Sequence, residues 1–232
     1  MRKMGILLLF SFLLVSCEKE DFTKPVQVDF AFGLSETELD LEKSTKTPSL
    51  SMDTGFWLLQ SIDFEGRREQ GGDYFFTYTP PEPLEIIFEK EQWQGQLSFD
   101  IPQGVYQRID ITFNLVAEAE HPSFRLKGNV SNSPAFKEPF VFAYEAQETL
   151  KLIARNDKGG QTVTVRQGEP LEAKVTIQTN RMFDLLPPGL LRNATRSERM
   201  GEQMIFVSRR SNSEIFQLMA TRILNSTEVL FE

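Results

Sequence analysis

Cys17 is the only thiol of this chain and His121 its only imidazole. That scarcity removes most nucleophilic and metal chemistry, because Ser-His-Asp and Cys-His arrangements would depend on one imidazole and zinc sites use several Cys or His ligands. His121 sits in the turn-like Glu120-His121-Pro122 and reads as a solvated loop residue. Gly-rich phosphate loops, His-Glu-x-x-His, nucleophile elbows and EF-hand spacings do not occur. Cys17 instead closes the apolar run 5–15, which follows Arg2 and Lys3 and ends at the small Ser16. A positive start, a short apolar stretch and a narrow residue before the cut are the signs of a secretory signal. The run falls short of the ~20 apolar residues that span a bilayer.

Two further groups could do chemistry. Trp93 stands between Gln92 and Gln94 in the polar run Glu89-Lys90-Glu91-Gln92-Trp93-Gln94-Gly95-Gln96. Its indole could stack on a sugar ring while the flanking amides hydrogen-bond the hydroxyls; the alternative is an amphipathic indole covering a core edge beside a turn. Glu89 and Glu91 could form the acid pair of a glycoside hydrolase, which requires a separation of ~5–9.5 Å. Solvated acids are the default reading of that pair. Glu36, Glu38, Asp40 and Glu42 lack the Asp-x-Asp-x-Asp-Gly order of a calcium loop, so no metal or cofactor is expected.

The segment Leu14-Val15-Ser16-Cys17 resembles the lipobox of bacterial lipoproteins. That resemblance implies a thioether-linked diacylglycerol on Cys17, cleavage before it and acylation, for example by palmitate, of the new amine. Lys19, Glu20 and Asp21 follow at once, similar to the export tag of surface lipoproteins in double-membraned bacteria. The implied location is the outer membrane, lipid-anchored, at the cell surface. An ordinary secretory signal with a stray cysteine, and a plain soluble spacer in place of the tag, are the competing readings. Several acyl chains, each contributing ~0.8 kcal/mol per buried methylene, hold a protein where one chain is marginal.

Removal of residues 1–16, with Arg2 and Lys3, leaves 216 residues and moves the formal charge from −8 to −10. An acidic body argues against nucleic acid and anionic lipid as partners, since both are held by Lys/Arg clusters. Hydrophobic residues make up 40% of the chain and Phe occurs 20 times, enough to build a sizeable core. Phe also favours strands.

Val26, Val28, Phe30 and Phe32 alternate with polar or small residues, the period-2 signature of a half-buried strand. Residues 33–52 are polar and acidic and read as an exposed loop. Strands are then expected at 56–64, 74–78, 84–88, 97–101, 107–115, 124–130, 140–144, 150–154, 161–166 and 171–179. Gly71-Gly72, Pro80-Pro81, Asn132-Ser133-Pro134 and Asn156-Asp157-Lys158-Gly159-Gly160 punctuate them, the last as a hairpin turn. Tyr74, Phe75, Phe76 and Tyr78 could form a binding face or fill the interior. Beyond Pro187-Pro188-Gly189, residues 204–207 suggest a short strand, and Ser211 with Glu214 a capping box for a helix from Asn212. The expected fold is mainly β, an antiparallel β-sandwich with a short C-terminal helical tail. Its organisation is a signal peptide at 1–16, a lipidated tether at 17–25, a sandwich at 26–186 with an exposed loop at 33–55, and a segment 187–232 packed upon it.

Ile101-Pro102-Gln103-Gly104-Val105-Tyr106 resembles the Pro-x-Gly-x-Tyr strand entry of transthyretin-like and fimbrillin-like sandwich domains. The resemblance covers one turn and strand and implies an immunoglobulin/transthyretin-like sandwich. With the lipobox and the closing Ile205-Phe206-Val207-Ser208 and helix, it implies a non-catalytic, lipid-anchored envelope protein acting in binding or assembly. The alternatives are a glycan-binding accessory lipoprotein of a saccharide-uptake system and a fimbria-like subunit. Against the latter, no donor-strand signature occurs, and the dibasic pairs Arg67-Arg68 and Arg209-Arg210 are the candidates for processing. Membrane contact is expected through the anchor, and a glycan or a protein as partner.

Overall fold

Alternation is strongest where the chain must hide one face of a strand, and those stretches form the core of two curled sheets. The computed structural model describes residues 23–35, 39–40, 49–119, 121–133, 136–183, 186–199 and 201–232. In chain order the strands are β1 (Pro25–Ser35), β2 (Leu39–Asp40), β3 (Ser49–Arg68), β4 (Tyr74–Tyr78), β5 (Leu84–Glu89), β6 (Gln94–Pro102), β7 (Gly104–Leu115) and β8 (Phe124–Ser133). They continue with β9 (Phe136–Tyr144), β10 (Glu148–Ile153), β11 (Arg155–Asn156), β12 (Val163–Val165) and β13 (Leu171–Gln178). Short helices α1 (Thr179–Phe183) and α2 (Pro188–Arg192) lead to β14 (Arg196–Arg199), β15 (Glu202–Val207), α3 (Ser213–Ala220) and β16 (Thr227–Phe231).

The smaller sheet has the order β11-β16-β13-β1-β6. The larger follows β10-β7-β3-β8-β9-β15-β14, with β12 on β7 and β2, β4 and β5 on β3. The 20-residue β3 is its spine. Its first half pairs with β8 on one side and β5 on the other; its second half pairs with β7 and β4. Phe32 of the smaller sheet meets Trp57, Phe88 and Phe113 of the larger edge-on, at centroid distances of 6.3, 5.6 and 6.1 Å. All four are buried, and one core joins the inner faces. Where β5 borders the smaller sheet, the Gln96 side chain donates to the Ile87 carbonyl at 2.6 Å and accepts from the Ile87 amide at 2.7 Å. A side-chain amide thus covers backbone groups of a strand edge that would otherwise invite a stray strand.

The mainly β expectation stands, whereas the wholly antiparallel one is corrected. β1 with β13, β11 with β16 and β9 with β15 are parallel pairs, so both sheets are mixed. The partners of each parallel pair lie far apart in sequence, and alternation carries no sign of direction. The exposed loop at 33–55 is also corrected. Residues 33–35 complete β1, Leu39–Asp40 is β2, and β3 begins at Ser49 with Leu50 and Met52 buried. A register shift between Met52 and Thr54 breaks the alternation that would have betrayed this half of β3. The Asn156–Gly160 turn exists, with Asn156 Oδ1 accepting from the Lys158 and Gly160 amides at 3.0 and 2.8 Å. It is no hairpin, because β11 pairs with β16 and β12 with β7.

The C-terminal stretch is woven into the sheets. β16 lies between β13 and β11, inside the smaller sheet. Helix α3 is preceded by Asn212, which is left-handed (φ 50°, ψ 47°) and makes no side-chain cap, so the capping box is corrected too. The Asn212 amide is spent elsewhere: it donates to the carbonyls of Thr195 and Phe206 and accepts from the Thr195 amide, tying the helix to β14 and β15. Arg196 adds a second tie, donating to both carboxylate oxygens of the buried Glu138 at 2.8 and 3.0 Å. Tyr106 behaves as its motif suggests: fully buried, with its hydroxyl donating to the Pro102 carbonyl at 2.7 Å.

Candidate functional site

Cys17, Lys19, Glu20 and Asp21 lie outside the described residues. Trp93 lies in the turn between β5 and β6. Gly33 lets it approach: a Cβ there would meet the Gln92 carbonyl at 2.7 Å and the indole carbons Cδ1 and Cγ at 3.0 Å. The indole N–H donates to Thr176 Oγ1 at 3.0 Å. Thr176 is the register partner of Gly33, so the half-buried ring lies across β1 and β13 on the outward face of the smaller sheet. Gln92 and Gln94 are both exposed. The indole has therefore committed part of its surface and its only donor to the protein, which leaves a ligand no polar handle on the ring. Trp93→Ala is expected to lower stability by about 1–3 kcal/mol, below the full-burial cost of an aromatic truncation. Thr176→Val should cost part of that, with chemical melts as the measurement. A loss under about 0.5 kcal/mol for Trp93→Ala would show that the indole is not held on the sheet.

The aromatic run of β4 is divided by the pleat. Phe76 stacks on Phe64 (5.3 Å) and meets Phe99 (5.1 Å), and Tyr78 meets Phe99 (5.3 Å), while Phe75 is 60% exposed. Most of the run covers the core edge. Glu89, opposite Thr54 at the far end of β5 from β4, is half-buried and Glu91 is exposed. Among the described residues no group of three or more His, Cys, Asp or Glu could hold a metal ion, and no helix is long and apolar enough to cross a membrane.

A groove of about 700 Å³ lies on the outward face of the larger sheet, over β8, β9 and β15. Strand alternation builds it. Even positions 124, 126, 140 and 142 of β8 and β9 are buried in the core, which sends Arg125, Lys127, Pro139 and Val141 outward. Lys127 is opposite Val141, and Val141 opposite Phe206 of β15, so these three cross the floor in one row. Arg199 of β14 closes one side with its guanidinium 3.7 Å from the centroid of the Phe206 ring. On the other side Arg125 lies 4.9 Å over Phe56 of β3. Burial there pulls the Arg125 guanidinium below its ordinary pKa, with Glu85 opposing. Arg209 and Arg210, in the turn after β15, complete the rim beside the exposed His121.

No family model, curated protein or solved structure matches this chain. The groove must therefore be read from its own chemistry. It gathers five Lys/Arg side chains against three carboxylates, Glu118, Glu145 and Glu202, in a chain whose formal charge is −8. None of the five cations forms an ion pair among the described residues. Two are guanidiniums seated over aromatic rings, a cation–π contact that restrains them while their N–H groups stay available to an oxyanion. Of this set, sequence reasoning singled out His121 and the Arg209-Arg210 pair, the latter only as a processing candidate. The available signal was the outward alternation of Arg125 and Lys127 along β8.

Proposed function

We propose that this protein is a lipid-anchored, non-catalytic binding module of the bacterial cell envelope, held in the outer membrane by acyl chains on Cys17 and facing the cell surface. The observation that carries the reading is the lone cysteine placed directly after a short apolar run and Ser16. Lys19, Glu20 and Asp21 act as the export tag. The body is a departure from the two-layer sandwich of transthyretin-like domains, with parallel pairs at three places, and its groove is the binding face.

The placement of the groove supports this arrangement. The described chain begins beside the far end of β3: the Lys24 carbonyl accepts from the Gln103 amide at 2.9 Å, and the Gln103 carbonyl accepts from Arg68 at 3.3 Å. The groove borders the other half of β3, at Phe56. Twelve residue steps of β3, up to ~40 Å when extended, take the chain from Phe56 to Arg68. A tether leaving from the Lys24 end would present the groove away from the membrane.

Cys17→Ala is expected to abolish incorporation of labelled fatty acid and to release the protein from the membrane fraction. Protease added to intact cells should digest the wild-type body. Undiminished labelling of the Cys17→Ala variant would overturn the anchor, and full protection of the wild type until lysis would overturn the surface location.

A further inference from the structure

We infer that the groove over β8, β9 and β15 binds an acidic polysaccharide, one whose sugar rings carry carboxylates. The inference deepens the proposed binding role and rests on it only for the place where the ligand is met. Charge complementarity gives the sign. Arg125, Lys127, Arg199, Arg209 and Arg210 surround the groove without ion-pair partners among the described residues, in a body of opposite net charge. Arginine matches a carboxylate with two parallel hydrogen bonds, and a guanidinium already seated over the ring of Phe206 or Phe56 loses less freedom in making them than a free one.

The floor decides between kinds of polyanion. β8, β9 and β15 spend their backbone groups on one another, so the groove is a sheet face and offers no row of free amides to an extended peptide. What it presents between the cations is carbon: Pro139, Val141, Met204 and Phe206. Sugar rings bring flat C–H faces to such a floor while their carboxylates project to the sides, towards the arginines. An acidic peptide would leave its backbone amides without protein partners there. Double-stranded nucleic acid carries a charge every ~1.7 Å and would be repelled by the acidic body around the groove. A polyuronide, with one charge per sugar, is a sparser anion. A lipid headgroup is disfavoured by the position of the groove, remote from the Lys24 end of the chain.

The experiment is calorimetric titration of the full-length protein, purified in neutral detergent, with polygalacturonate, neutral dextran, poly-L-glutamate and single-stranded DNA as probes. Polygalacturonate should bind at low salt, and its affinity should fall about ten-fold or more as salt rises from about 50 to about 500 mM, where screening shortens to a few ångströms. Arg199→Ala and Lys127→Ala, both at exposed positions, should each weaken binding about five-fold or more, a loss of roughly 1 kcal/mol. Arg166→Ala, exposed and outside the groove, should leave binding unchanged. The inference is overturned by absence of polygalacturonate binding at low salt, by equal binding of dextran, poly-L-glutamate or DNA, or by affinities unmoved in both groove variants whose melts match the wild type. None of these readouts depends on acylation, so loss of the anchor assignment with intact polygalacturonate binding would leave this inference standing, and the reverse holds equally.

Discussion

Gly128→Ala should destabilise the protein by about 3 kcal/mol or more, because a Cβ on Gly128 would lie 1.9 Å from the Ser51 carbonyl oxygen and 2.7 Å from the Met52 Cα. The obstacle is backbone, so no rotamer change can relieve it. Gly128 sits in β8 opposite Met52, where β3 shifts register, and the two strands approach closely enough to exclude a methyl group. Separating them would disturb the pairing of β3, on which β8, β5, β7 and β4 all depend. For a domain near 200 residues the urea dependence is about 2 kcal/mol/M, so the midpoint should fall by roughly 1.5 M. Gly95→Ala is the matched control. Its Cβ would meet nothing within 4 Å and its φ is not positive, so it should be neutral or stabilise by about 0.4–1 kcal/mol through the unfolded chain. Equal midpoints for the two variants would show that the close approach of β3 and β8 is absent.

That same approach explains why part of the fold could not be read from residues alone. β7 and β13 were legible, since Ile109, Ile111, Phe113 and Leu115, and Ala173, Val175 and Ile177, bury one face without interruption. In β3 the alternation of Leu50 and Met52 with serine is cut short at Asp53 by the register shift, and what remains looks like a polar loop. Parallel pairing left no trace either. Val28 meets Leu171 and Ile205 meets Phe140 only because the chain returns across the sheets, and no local pattern encodes that return. The candidate site follows the same division. Trp93 announced itself as an aromatic among polar residues, yet its environment, Gly33 beneath and Thr176 beside it, comes from two distant strands. Arg125, Lys127 and Arg199 are unremarked outward positions in sequence and become a site only when β8, β9, β15 and β14 are laid side by side.

Trp57 offers a test in which two opposing effects can be separated within one side chain. It is fully buried in the common core, 4.8 Å from Phe88 and 5.2 Å from Phe113 between ring centroids. Its indole N–H has no hydrogen-bond partner among the described residues. Trp57→Ala should cost about 3–5 kcal/mol, through lost burial and the cavity left between Phe32, Phe88 and Phe113. Trp57→Phe keeps most of the aromatic contact and deletes a donor whose desolvation already costs the native state about 1–3 kcal/mol. The two terms oppose each other, so Phe should cost less than about half as much as Ala. Urea melts of the three proteins, followed by circular dichroism because the substitution alters the fluorescence signal, measure both differences. A Phe variant as unstable as the Ala variant would mean that the N–H is satisfied in solution, and the core would then owe its stability to a hydrogen bond as well as to packing.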